Sequence, residues 1–244
     1  MHNHNITVIH HRSQNTPSRI LNQSCLGHMR QSFCVSGINL VESSIHEATT
    51  EMILRSNALI ITGAMESVND NLAWIRQERM LLDLAIEMSI PILGICFGAQ
   101  HLAQALGAEV VRMTRPVIGL TDVEQCQPNI LLSDLTRQFK AIGIHQDHIL
   151  PCDHINVVAQ SGGVVSAFTS QDKFFGLQFH PELTNQLLFD LLEKRVKLEF
   201  DSQELRDDAL WLRKNVQLYE AHLEHVANSI AKQFLLNLEE TTYA

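Results

Sequence analysis

Pro91-Ile92-Leu93-Gly94-Ile95-Cys96-Phe97-Gly98-Ala99-Gln100 is the stretch on which the reading of this chain turns. An apolar run of strand length passes straight into a helical one, with a cysteine at the junction and a glycine two residues to either side. Such a G-x-nucleophile-x-G elbow holds its nucleophile in a strained backbone conformation at the end of a buried strand. The flanking residues are glycine because a Cβ there would collide with the tight turn. The helix opening at Phe97 aims its free N–H groups at the sulfur, which favours thiolate and offers hydrogen bonds to a developing oxyanion. A strand feeding directly into a helix is also the repeating unit of a parallel sheet with crossover helices.

Working outward, Ile6–His10, Ala58–Ile61 and Ile90–Gly94 are further short apolar runs and read as buried strands of that sheet. Between the last two, the spacing of Trp74, Ile75, Leu81, Leu82, Ala85 and Met88 predicts a helix over Leu72–Met88. It stops at Ser89-Ile90-Pro91, because the residue before a proline resists the helical region. A second helix runs from about Phe97 to Leu106 and closes at Gly107.

From about Glu109 to Phe179 the texture changes to strands and hairpins: Glu109–Met113, Lys140–His145, Ile155–Ala159, Val164–Phe168 and Phe174–Phe179. Ser161-Gly162-Gly163 resembles a pyrophosphate loop of the S-G-G-x-D-S type, but Val165 stands where that loop needs its aspartate, so a hairpin turn is expected. After Glu182 the chain is helical. Leu187, Leu188, Leu191, Leu192 and Val196 form one stripe, Asp201 with Glu204 forms a capping box, and Tyr219, Leu223, Val226, Ile230 and Phe234 form a last, core-facing stripe. No repeat or linker interrupts the chain. The expectation is one domain over 1–244, with a catalytic core at about 5–184 and a helical extension at about 185–240: a flavodoxin-like α/β three-layer sandwich, its mixed and mostly parallel sheet carrying helices on both faces.

Composition narrows the function classes. The 244 residues are 45% hydrophobic and only 18% charged, which excludes a disordered chain. The net charge of −9 disfavours a phosphate backbone as partner, so no nucleic-acid binding is expected. No apolar run approaches the ~20 residues of a membrane span, and the polar N-terminal residues lack a secretory signal. The five cysteines contain no C-x-x-C and are odd in number, so a reducing, cytoplasmic setting is expected. Of the thirteen histidines, His145, His148 and His154 cluster in sequence but have no acidic or thiol partner at a ligand spacing, so neither metal nor cofactor is expected.

Phe179-His180-Pro181-Glu182 follows the last strand. In an extended chain residues two apart project to one side, and Pro181 keeps His180 extended. His180 and Glu182 are therefore held side by side, as an imidazole and the carboxylate that orients it, ready to serve a thiol nucleophile.

Together, Gly94–Gln100 and Gly176-Leu177-Gln178-Phe179-His180-Pro181-Glu182 strongly resemble the class I glutamine amidotransferases. Ala58–Ala64 is similar to the family's oxyanion strand, and Glu66-Ser67-Val68-Asn69-Asp70 and His145-Gln146-Asp147-His148-Ile149-Leu150-Pro151 are similar to its GMP-synthase-like branch. The resemblance covers about residues 55–183. It implies that Cys96 attacks the side-chain amide of glutamine to form a γ-glutamyl thioester. His180 then protonates the departing ammonia and activates water, and Glu182 orients His180. By the same resemblance, backbone N–H groups of Gly63 and Phe97 form the oxyanion hole, and Gln100 and His145 bind substrate. Met65 departs from the pattern, since the family's loop often has proline there. No synthetase domain is apparent, so ammonia would pass to a separate synthetase or acceptor chain. A γ-glutamyl hydrolase acting on γ-glutamyl amines or peptides would use the same triad. A quiet regulatory or scaffold module is the third alternative, against which the complete Cys96/His180/Glu182 set speaks.

Overall fold

The computed structural model describes residues 4–11, 24–198 and 202–242. One nine-stranded sheet runs through it in the order β2-β1-β3-β4-β9-β8-β7-β5-β6. Its strands are β1 (Asn5–His10), β2 (Asn39–Ser44), β3 (Ala58–Ile61), β4 (Ile92–Ile95), β5 (Val110–Gln125), β6 (Gln138–Ile149), β7 (Asn156–Ser161), β8 (Val164–Ser170) and β9 (Phe174–Leu177). The helices are α1 (Arg30–Val35), α2 (Thr50–Leu54), α3 (Ala73–Glu87), α4 (Phe97–Ala105), α5 (Asn185–Leu198), α6 (Gln203–Asn215) and α7 (Glu220–Thr242).

Five strands, β2, β1, β3, β4 and β9, pair in parallel. The remaining strands pair antiparallel, as β9 with β8, β8 with β7, β7 with β5 and β5 with β6. The parallel strands β3, β4 and β9 are buried along their whole length, which is why each reads as a continuous apolar run. Alternation sends their side chains to two cores. Ala58, Ile60, Leu93 and Ile95 join Val226, Ile230 and Phe234 of α7 on one face. Leu59, Ile61 and Ile92 join Ile75, Leu82, Phe97 and Leu102 of α3 and α4 on the other. Helices thus cover both faces of a mixed sheet, and the last stripe faces the core as its spacing predicts.

Several expected elements have different limits. β5 continues past Met113 to Gln125, with a bulge between Arg112 and Val117. Its far half intersperses Ile118, Leu120 and Val123 with polar, partly exposed residues, so it gives no continuous apolar run to recognise. Met88 is 55% exposed, because it caps α3 beyond the last turn that faces the core. α6 is capped by Ser202, whose hydroxyl accepts from the Leu205 N–H at 3.2 Å; Asp201 lies outside the described residues, as does the Val196 side chain. Ser161 pairs with Val164 across Gly162 and Gly163, both at positive φ, so the Gly-Gly pair is a two-residue hairpin turn. Among the described residues no helix is long and apolar enough to cross a membrane.

Candidate active site

Cys96 stands between β4 and α4 with φ 52° and ψ −105°. That strained backbone is anchored at both ends: the Cys96 N–H donates to Leu177 O of β9 at 2.7 Å, and Cys96 O accepts from the Gln100 N–H at 3.0 Å. The elbow glycines have a steric cause. A Cβ on Gly94 would lie 2.5 Å from Gly98 O, and one on Gly98 would lie 2.2 Å from Ile61 O. Real Cβ atoms do not approach backbone so closely, so the strand-to-helix turn closes only with glycine at both positions.

His180 and Glu182 follow β9 and reach the same place. His180 Nδ1–H donates to Glu182 Oε1 at 2.8 Å, and both side chains are buried. The Ile144 carbonyl is within reach of both side chains, 3.4 Å from His180 Nε2 and 3.6 Å from Cys96 Sγ. Burial pushes the His180 imidazole toward neutrality, but the Glu182 carboxylate and the Cys96 sulfur outweigh it and hold its pKa well above the usual histidine value.

Glu182 is in turn fixed by its backbone. Its carbonyl accepts from the His28 N–H at 3.1 Å, in a turn opened by Gly27 at φ 41°. A Cβ on Gly27 would lie 1.8 Å from Glu182 O.

A narrow cleft opens beside the sulfur, lined by Ala64, Met65, Cys96, Phe97, Gln100 and His145 among others. Gly63 adjoins both His180 and Cys96, since a Cβ placed on it would be 3.0 Å from His180 Cε1 and 3.6 Å from Cys96 Cβ. Gln100 reaches the cleft but donates its amide to Asp147 O at 2.9 Å and Gln178 Oε1 at 3.1 Å, which leaves its carbonyl oxygen for a ligand. His145 Nδ1–H donates to Asp147 O at 2.9 Å. Arg112 Nε lies 2.9 Å from Asp147 Oδ1, close enough for charge attraction but without the alignment of a hydrogen bond. Six of the seven residues singled out in the sequence therefore lie at the sulfur or around its cleft, and the seventh, Glu182, meets His180 at the ring's Nδ1.

One neighbouring cluster escapes a reading by motif. Glu78 of α3 is fully buried and bridges His11, at the end of β1, to His101 of α4. Its signal in the sequence is a carboxylate on the apolar stripe of α3, one turn from Trp74.

The chain is similar to known proteins both in sequence and in fold. The family model for class-I glutamine amidotransferases matches residues 23–194. A glutamine-hydrolyzing GMP synthase of Aeropyrum pernix is 33% identical over 146 residues, covering 59% of this chain and 28% of that protein. A glutamine-hydrolyzing GMP synthase subunit of Sulfurisphaera tokodaii is 36% identical over 105 residues, covering 42% of this chain and 56% of that one. The chain thus spans under two thirds of the length of these relatives. Among solved structures, a glutamine amidotransferase of Methylobacillus flagellatus superposes with TM-score 0.82 at 19% identity, covering 97% of this chain and 96% of its own. One of Thermotoga maritima superposes with TM-score 0.80 at 21% identity, covering 96% and 99%. These two likenesses establish the flavodoxin-like fold.

Proposed function

This chain belongs to the class-I glutamine amidotransferase family, and on that premise we propose that it hydrolyses the side-chain amide of glutamine through Cys96, His180 and Glu182 and releases ammonia. The observation that carries the reading is the continuous line from Glu182 Oε1 through the His180 ring to the Cys96 sulfur at a strained strand–helix turn.

The chemistry follows from that line. Cys96 gives its proton to His180 and attacks the amide carbon, forming a tetrahedral oxyanion beside the N-terminus of α4. His180 passes the proton to the departing ammonia, leaving a γ-glutamyl thioester, and then takes a proton from the water that cleaves it. Glu182 holds the imidazole in orientation and stabilises its charged form. The carbonyl oxygen of Gln100 and the cleft face of His145 bind the amino-acid end of glutamine. The ammonia goes to a separate synthetase or acceptor chain, a reading supported by several relatives being named as one subunit of a GMP synthase.

The test is steady-state glutaminase kcat for Cys96→Ala, His180→Ala, their double mutant and Glu182→Gln, with folding followed by circular dichroism. Cys96→Ala and His180→Ala should each cost nearly as much as the pair, because the two act as a unit. Glu182→Gln should cost less, on the order of 10²–10⁴-fold. Near-wild-type turnover in Cys96→Ala or His180→Ala overturns the mechanism. Turnover of γ-glutamyl amines or peptides in preference to glutamine would reassign the substrate.

A further inference from the structure

Behind the loop that follows β3, two histidines share one buried carboxylate. Glu78 Oε2 lies 2.6 Å from His11 Nε2, and Glu78 Oε1 lies 2.7 Å from His101 Nδ1. The other His11 nitrogen, Nδ1, lies 3.2 Å from the Gly63 carbonyl oxygen. A carboxylate and a carbonyl only accept, so both His11 nitrogens donate and the ring is an imidazolium. Burial works against the ionised carboxyl of Glu78, but the two imidazoles outweigh it and bring its pKa down to about 2. The His11 ring is further fixed between Trp74 and Phe97, each with its centroid 5.0 Å away. His101 contacts Phe97 edge-on at 5.6 Å.

The consequence falls on the peptide between Gly63 and Ala64. It is planar and trans, so its N–H points opposite to its C=O. The C=O faces His11, so the Ala64 N–H points away from it, and Ala64 also lines the cleft with Cys96 and Phe97. Position 65 is Met rather than Pro, so the ring constraint of proline is absent and this loop depends on hydrogen bonds for its conformation. We propose that His11, clamped by Glu78 and His101, is a positioning residue for amide hydrolysis: it fixes and polarises the Gly63–Ala64 peptide so that the Ala64 N–H, together with the Phe97 N–H, receives the oxyanion. A charge-assisted bond to the carbonyl draws density from the peptide nitrogen and strengthens its N–H as a donor. The inference rests on the proposed glutamine hydrolysis at Cys96 and refines its oxyanion donor from Gly63 to the next residue.

The experiment begins with glutaminase kinetics of the unaltered chain. If that chain turns over no γ-glutamyl amide, both the function and this inference fall. If it is active, the two separate. His11→Phe keeps the ring packing and removes both N–H groups. It should lower kcat about 10–100-fold, a weakened rather than deleted oxyanion donor, with KM within about threefold. Alkylation of Cys96 by a glutamine-mimicking chloroketone, which passes through an oxyanion, should slow in parallel with kcat. Alkylation by iodoacetamide, which forms none, should keep its rate. His11→Asn places an amide nitrogen near the position of Nδ1 and should recover most of the loss. Should His11→Phe not fold, Glu78→Gln carries the test, with the same split between kcat and KM and between the two alkylators. Unchanged kcat in a folded variant of an active enzyme overturns the clamp, as does equal slowing of both alkylators.

Discussion

Gly27 is far from the cysteine in sequence, yet it sets the position of the carboxylate that supports His180. It is held at φ 41°, and a methyl group there would overlap Glu182 O at 1.8 Å. Gly27→Ala should push the Glu182 peptide outward, break the 3.1 Å bond from the His28 N–H, and loosen the 2.8 Å contact with His180 Nδ1. The expected loss in kcat is on the order of 10–10²-fold, less than removal of a triad orienter. In the double mutant Gly27→Ala/Glu182→Gln, kcat should be no lower than in Glu182→Gln alone, since both act through one group. Multiplying losses would place the effect of Gly27 elsewhere. The cysteines offer a second check at this scale. Cys34 and Cys126 are exposed and Cys96 is buried, so exposure alone favours the first two. Brief treatment with a glutamine-mimicking alkylator should nonetheless mark Cys96 ahead of Cys25, Cys34, Cys126 and Cys152, as peptide mass mapping would show. Dominant labelling elsewhere in folded protein contradicts the assigned nucleophile.

Glu78 ties β1, α3 and α4 together, and its ionisation makes that junction pH-dependent. Its folded pKa of about 2 lies below the ordinary 4.5, so its contribution is fully present above pH 4.5 and is lost as pH falls toward 2. The lowering is worth about 3 kcal/mol. His11 shifts the other way: burial lowers its pKa, but Glu78 and the Gly63 carbonyl raise it above 6.5. The share linked to His11 is therefore present below pH 6.5 and lost as pH rises through the raised value. Both describe one interaction and do not add. The stability difference between the unaltered chain and Glu78→Gln, measured by urea unfolding, should peak between about pH 4.5 and 6.5 and shrink on either side. A difference independent of pH would show that the two imidazoles do not hold the carboxylate ionised. The elements around this junction also mark what the sequence discloses. The strands β3 and β4 and the helices α3 and α4 are legible because full burial makes the strands uniformly apolar and one-sided burial makes the helices periodic. The elbow and the His-Pro-Glu turn are legible because the tight strand–helix turn admits only glycine at 94 and 98 and because an extended chain sets His180 and Glu182 side by side. β2 is not, since it lies at the sheet edge with Asn39, Val41 and most of its other residues partly or well exposed. The clamp is hidden for another reason. His11, Glu78 and His101 are brought together by tertiary packing of three elements, and no local pattern joins them.

At the scale of the molecule, the question is whether the C-terminal helices are an appendage to the site or part of what holds it. α7 lies on the sheet face opposite α3 and α4, and it buries Val226, Ile230 and Phe234 in the same core as Ile60, Leu93 and Phe175. The Phe234 ring meets the Phe175 ring of β9 edge-on at 6.1 Å. β9 is the strand whose Leu177 carbonyl accepts the Cys96 N–H at 2.7 Å, and whose continuation carries His180. Two polar contacts, one turn apart on the helix, also hold it: Ser32 Oγ–H donates to Asn228 Oδ1 at 2.8 Å, and Lys232 Nζ lies 2.9 Å from Asp134 Oδ2. Removing α7 would strip a whole face from β9, at a cost of about 1.5–3 kcal/mol for each large apolar side chain exposed. Against a total stability of roughly 5–15 kcal/mol, that loss is not survivable. We therefore expect residues 5–184 and the helical segment to unfold in one cooperative transition. Phe234→Ala should cost about 3–5 kcal/mol and lower the midpoint of that single transition without splitting it. A chain ending at Tyr219 should be unfolded or molten, with little near-ultraviolet circular dichroism. Calorimetry and circular dichroism on the three proteins decide the matter. A chain ending at Tyr219 that melts cooperatively and still forms the γ-glutamyl thioester would make α7 an appendage, and the support of β9 would have to come from the sheet alone.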